Sequence, residues 1–168
     1  MKLLVTYASK YGSTAEIAEV IGKELEKRSY EVEVKPVKDV DSLAGYGGFV
    51  IGSAVYAGGW MKPAAKFLQS NRDLLAEHPV WLFSSGPTGQ GDPNELMDGW
   101  NFPEKLEQVL ETINPKDVIL FHGKIDIDSL NFAERMIIKS VKATVGDYRD
   151  WLVIRRWAAR IDLDLQPG

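Results

Sequence analysis

The sequence predicts an α/β fold, a doubly wound parallel sheet of five strands with helices on both faces. Three observations predict it. Short apolar runs rich in β-formers alternate with segments of helical period through most of the chain. Four of the five strands are continuously apolar, as strands covered on both faces are. The loops that follow the first, third and fourth strands are rich in glycine and hydroxyl residues, while the opposite strand ends are not.

Lys2 to Tyr7 reads as a buried strand. From Thr14 to Arg28 the apolar residues Ile17, Ala18, Ile21 and Leu25 keep a helical period, and Ser13 followed by Glu16 predicts a capping box at its start. Glu31 to Val34 alternates strictly, which suits a half-covered edge strand. Phe49 to Ile51 is a third strand, followed by the loop SAVYAGGW. Pro63 fits the first turn of a helix reaching the mid-seventies. Val80 to Phe83 is a fourth strand, followed by the long loop SSGPTGQGDP. Glu104 to Ile113 is helical, and Val118 to Phe121 is a fifth strand. Two more helices are predicted over Phe132 to Ala143 and Tyr148 to Ile161, with a frayed tail after them. With 168 residues and no linker, repeat or low-complexity stretch, one domain over residues 1–168 is expected.

Composition excludes several classes. The net charge of −4 gives no electrostatic footprint for nucleic acid. There is no cysteine, which removes disulfides, thiolate catalysis and thiolate-bound metals together. The two histidines, His78 and His122, stand apart and read as structural, so no metal is expected. Residues 42–61 carry no charge, but their six glycines read as strand and loop, not as a membrane span. The opening aliphatic run is too short for the core of a signal peptide. The cytoplasm is the expected location.

In an open α/β sheet, ligands bind outside the carboxyl ends of the strands. That rule selects three loops. The first, SKYGST, leads from strand to helix, where free N–H groups and the helix dipole favour an anion. Ser9, Ser13 and Thr14 add hydroxyls, and Gly12 lets the backbone wrap. Its own residues leave two readings open, a capped turn and a phosphate cradle. The second loop sets Tyr56 and Trp60 beside Gly58 and Gly59, so that aromatic rings can stack on a flat ligand. The third offers the backbone of Ser85, Gly86, Pro87, Thr88 and Gly89 to the edge of such a ligand. No G-x-x-x-x-G-K-[ST] or strand-linked G-x-G-x-x-G occurs, which excludes the nucleoside-triphosphate and dinucleotide loops. A planar ring on a phosphorylated tail fits all three loops.

Ser9-Lys10-Tyr11-Gly12-Ser13-Thr14 resembles the flavodoxin phosphate loop, T/S-x-T-G-x-T, with Tyr11 where a threonine is usual. GSAVYAGGW, LFSSGPTG and the segment FHGKID…FAERMIIKSVKA…GDYRDW resemble the flavodoxin-domain subfamily that includes menaquinone-dependent protoporphyrinogen oxidase. The resemblance implies a flavodoxin-like sheet of order 2-1-3-4-5 and bound FMN. It implies that the phosphate sits on residues 9–14. The ring then lies between Ala54, Val55, Tyr56, Ala57, Gly58, Gly59 and Trp60 on one side and residues 85–89 on the other. It further implies an oxidoreductase passing electrons between FMN and a porphyrinogen- or quinone-like partner, with no catalytic acid or base named. A non-enzymatic carrier serving a redox partner protein is the alternative, and a module that keeps the fold without the cofactor is a third reading.

The segment Asn131 to Lys142 raises a separate question. Phe132, Met136, Ile137, Ile138 and Val141 are interspersed with Arg135, Lys139 and Lys142. Such a helix suits a membrane surface. The simpler expectation is a helix that covers the sheet with its basic residues solvated.

Overall fold

The computed structural model describes residues 1–166. Pro167 and Gly168, part of the tail expected to fray, lie outside the described residues. The elements run β1 (Lys2–Ala8), α1 (Ser13–Glu26), β2 (Glu31–Pro36), β3 (Gly48–Tyr56), β4 (Gly59–Trp60), α2 (Lys62–Leu75) and β5 (Val80–Ser85). They continue with α3 (Pro93–Leu96), α4 (Glu107–Ile113), β6 (Asp117–Phe121), β7 (Lys124–Ile125), α5 (Phe132–Ser140), β8 (Gly146–Asp147) and α6 (Trp151–Leu165). The parallel strands lie in the order β2-β1-β3-β5-β6. Counted among themselves in chain order they give 2-1-3-4-5, and the short β4 pairs antiparallel with the end of β3.

Side chains alternate between the faces of a strand, and both faces here are apolar. Leu4, Phe49, Ile51, Val80 and Leu82 point to one side, where α2 supplies Ala64, Leu68 and Leu75 and α4 supplies Val109 and Ile113. Leu3, Val5, Val50, Trp81 and Phe83 point to the other, against Ile17, Ile21 and Leu25 of α1 and Ile154, Trp157 and Ile161 of α6. Right-handed crossovers require this division of helices between the faces. The edge strand β2 is bounded by charge, with Lys2 and Lys35 both on Glu33 at 3.2 and 2.7 Å. Those lysines and the Tyr46 hydroxyl hold the Glu33 carboxyl well below its usual range, at about 2.

Four expectations need correction. Ser13 does not cap α1: it is the first helical residue, and the N-cap is Gly12, which makes no side-chain cap bond. The cause is Gly12 itself, whose φ of 88° turns the chain one residue earlier. The SAVYAGGW segment is not wholly loop, because β3 continues to Tyr56 and folds back through Ala57-Gly58 into β4. Both turn residues have positive φ, 48° and 72°, as a tight two-residue hairpin requires. The last helix starts at Trp151, not Tyr148, because Asp150 caps it by accepting from the N–H groups of Leu152 and Val153 at 3.0 and 3.1 Å. Finally, α5 ends at Ser140 and buries no residue, so it does not cover the sheet.

Gly52, in the middle of β3, lies beneath the Phe83 ring, and a Cβ there would meet ring carbons at 2.0–2.3 Å. Phe83 is fully buried between Phe121 and Trp157 and has nowhere to retreat. Overpacking of this kind costs about 1–3 kcal/mol. Gly52→Ala is expected to lower stability by that amount in a urea melt.

Candidate functional site

The carboxyl ends of β1, β3, β5 and β6 open into one cavity of about 380 Å³, within the roughly 300–1,000 Å³ range of small-molecule sites. Its wall is built from the first loop by Ser9, Tyr11, Ser13 and Thr14. The β3–β4 hairpin adds Ala54, Val55, Tyr56 and Ala57, and the end of β5 adds Ser85 and Gly86. The structure thus brings together ten of the residues picked from sequence.

The first loop is closed by its own serine, Ser9 Oγ accepting from the Gly12 N–H at 3.0 Å. The next N–H groups begin α1 with no side-chain acceptor. Every helix leaves its first N–H groups unsatisfied unless something caps them. Beside them, Ser13 Oγ is buried without a hydrogen-bond partner, and Thr14 is 1% exposed. An uncapped helix start with an orphaned hydroxyl on a cavity wall suits an anionic group.

Arg149 stands behind this corner and is itself buried. Its guanidinium forks onto Asp147 at 2.8 and 2.6 Å, donates to the Ser13 carbonyl at 3.1 Å and pairs with Glu16. Glu16, expected in a capping box, is drawn to this arginine instead. The Arg149 charge holds the Asp147 carboxyl below its ordinary range. Nothing local in the sequence marks Arg149 as a support of this corner, since Ser13 and Glu16 lie more than a hundred residues away.

Tyr11 and Tyr56 stand at the mouth, 41% and 47% exposed. Partial burial raises both hydroxyls above the ordinary tyrosine value. Trp60 does not join them. It is buried, donates from Nε1 to Ser84 Oγ at 2.8 Å, and packs edge-on against Phe102 at 5.0 Å. Gly58 and Gly59 lie at the hairpin tip, away from the wall. Pro87, Thr88 and Gly89 also turn away, and Gly89 faces Leu96 and Thr144. His122 binds that third loop, its ring nitrogens lying 3.2 and 2.9 Å from the carbonyl oxygens of Pro87 and Gly91.

Sequence reasoning missed the far wall, formed by Gly123 to Asp126, Ser129 and Leu130, with Ile137 and Ile138 of α5 and Val141 just past its end above them. Gly123 is required there: a Cβ would stand 2.6 Å from the Gly86 carbonyl oxygen. Helix α5 is secured by its capping box, in which Asn131 and Glu134 exchange bonds of 2.9 Å. Its other tie is the ion pair of Glu134 with Lys10, which takes Lys10 off the cavity wall and onto the lid. Lys10, Tyr11 and the Asn131 N–H hold the Glu134 carboxyl at about 2, and Glu134 raises the lysine in return. No group of acidic and histidine residues suited to a metal occurs among the described residues.

Two outcomes follow. A carboxyl held low contributes above its unfolded pKa and loses that contribution as pH falls through the folded value. The Lys10–Glu134 tie is therefore complete above about pH 4.5 and is lost towards pH 2. Amide protection in α5, measured relative to intrinsic exchange at each pH, is expected to fall over that interval, and Glu134→Gln to give the low protection already at neutral pH. Arg149→Met leaves the Ser13 carbonyl and two carboxylates without their donor, at a cost of about 2–3 kcal/mol in a urea melt. Arg149→Lys should restore only part, because an ammonium cannot form the fork.

A family model described as a flavodoxin domain matches residues 4–151. No curated protein matches the chain. Among solved structures, oxidised flavodoxin 1 from Bacillus cereus is 16% identical with a TM-score of 0.64, over 99% of this chain and 100% of that one. The flavodoxin of Streptococcus pneumoniae TIGR4 is 13% identical with a TM-score of 0.62, over 98% and 100%. Rubredoxin oxygen:oxidoreductase from Desulfovibrio gigas is 16% identical with a TM-score of 0.55, over 95% of this chain and 36% of that one. At these identities the structural likeness establishes the fold. Domains of the flavodoxin family are FMN-binding. The family match over nearly the whole chain, on a sheet of this order, establishes that the chain belongs to the flavodoxin domain family.

Proposed function

We propose that the chain binds FMN in this cavity and acts as a cytoplasmic oxidoreductase, passing electrons between the flavin and a porphyrinogen- or quinone-like partner. The observation that carries the cofactor reading is the buried Ser13 hydroxyl, unpartnered beside the uncapped start of α1. An orphaned hydroxyl is costly in a folded chain, and a phosphate oxygen would satisfy it. In this reading Ser9, Ser13, Thr14 and the free N–H groups hold the phosphate. Lys10, Gly12 and the Gly58-Gly59 turn shape the loops, and Trp60 braces the hairpin from within the core. Tyr11 and Tyr56 flank the ring, while Ala54, Val55, Ala57, Ser85 and Gly86 meet it with small side chains and main chain. The segment Pro87–Gly89 supports Gly86 from behind.

FMN, when bound, supplies the one- and two-electron chemistry. The chain's residues bind and orient it. Arg149 sets the first turn of α1 through the Ser13 carbonyl, and Ile137, Ile138 and Val141 shield the cavity from water. The substrate class rests on the resemblance of segment 121–151. The alternative is a plain carrier for a partner protein, in which the chain turns over no substrate of its own.

The test begins with a visible spectrum and FMN titration of the purified chain. Ser13→Ala is expected to leave the apoprotein as stable or slightly more so, since it removes an unpaired hydroxyl. It should nevertheless weaken FMN. Thr14→Ala should cost about 1.5–3 kcal/mol of FMN binding, the loss of a charge-assisted hydrogen bond. Riboflavin, which lacks the phosphate, should bind both variants as it binds the parent chain. A chain that takes up no FMN overturns the cofactor reading. FMN-loaded protein that fails to oxidise protoporphyrinogen with a quinone acceptor leaves the carrier.

A further inference from the structure

We infer that the outward face of α5 docks on an anionic lipid surface and sets the cavity mouth against the bilayer. The helix has no buried residue. Phe132 is 81% exposed and Met136 52%. Phe132, Met136 and Lys139 follow one another at i, i+4 and i+7 and so share a face, with Arg135 beside them. The cavity-lining residues Ile137 and Ile138 lie on another side of the same helix. Bulky apolar side chains interleaved with cations, on a helix that buries no residue, are what the headgroup boundary of a membrane accepts.

Charge selects the occupant. The chain as a whole is acidic, at −4. Between residues 131 and 142, however, there are three cations, Arg135, Lys139 and Lys142, and one carboxylate, Glu134. Lys10 already neutralises that carboxylate. The patch therefore presents net positive charge around an apolar centre, complementary to anionic headgroups. A second copy of the chain is a poor occupant, because a two-fold contact would bring two positively charged patches together. No helix among the described residues is long and apolar enough to cross a membrane, so the contact is peripheral.

The experiment is co-sedimentation of the purified chain with vesicles of phosphatidylcholine, with and without added phosphatidylglycerol. The chain should partition onto the anionic vesicles at low salt, dissociate at high salt and ignore phosphatidylcholine alone. Arg135→Gln and Lys139→Gln should each lower the partition about fivefold. Phe132→Ser combined with Met136→Ser should abolish it, while circular dichroism shows the fold retained. These four residues lie outside the cavity wall. No binding to the anionic vesicles overturns the inference, as does binding that the variants do not reduce. A dimer in solution that the Phe132/Met136 variant dissolves would also overturn it, in favour of self-association. The assay is run with and without FMN, and failure of the chain to take up FMN leaves its outcome intact.

Discussion

The in-phase register of the parallel strands is the constraint on which the rest depends. Ala8 lies opposite Ser53, Ala54 opposite Ser85, and Ser85 opposite Phe121. Strands that run the same way and stop at the same level must release their connecting loops along one rim. Four loops remote in sequence thereby become walls of one cavity. The register is itself held by strands apolar on both faces, since a slip of one residue would exchange every side chain between two different cores.

On that rim, polar interactions are arranged so that one group is left wanting. Ser9 satisfies Gly12, Ser53 accepts from the Met61 N–H, and Ser84 accepts from the Trp60 indole. Arg149 fills its donors with Asp147, Glu16 and the Ser13 carbonyl. Ser13 Oγ, in the midst of this, has no partner. That unpartnered hydroxyl among satisfied neighbours is the feature on which the proposal of a phosphate at this corner rests.

The strands and most helices were legible because their signals are local. Alternation marks β2, helical spacing marks α1 and α4, and Pro63 marks the start of α2. Some misreadings have local causes, the Gly12 turn and the Asp150 cap among them, while others depended on partners far away in the chain. Ser13 and Glu16 have the spacing of a capping box, but Gly12 and Arg149 redirect them. Trp60 looks like a loop-tip aromatic until Ser84, two strands over, takes its N–H inward. The amphipathicity of α5 is plain in the sequence, yet periodicity does not say what a helix packs against. Here the answer is a cavity on one side and solvent on another.

The close approach of Gly86 and Gly123 has a consequence for how such a site diversifies. A side chain on Gly123 would strike the Gly86 main chain, and one on Gly86 would crowd Val55 at 3.3 Å, so this floor has little room through which its shape can drift. The hairpin wall is nearly as fixed, since its turn demands positive φ at Ala57 and Gly58. Variation in what the cavity admits is thus channelled into residues 126–145, where side chains are exposed and the main chain is free to lengthen or shorten. Relatives that share this floor would differ in ligand choice chiefly along that one segment, while the opposite rim stays constant.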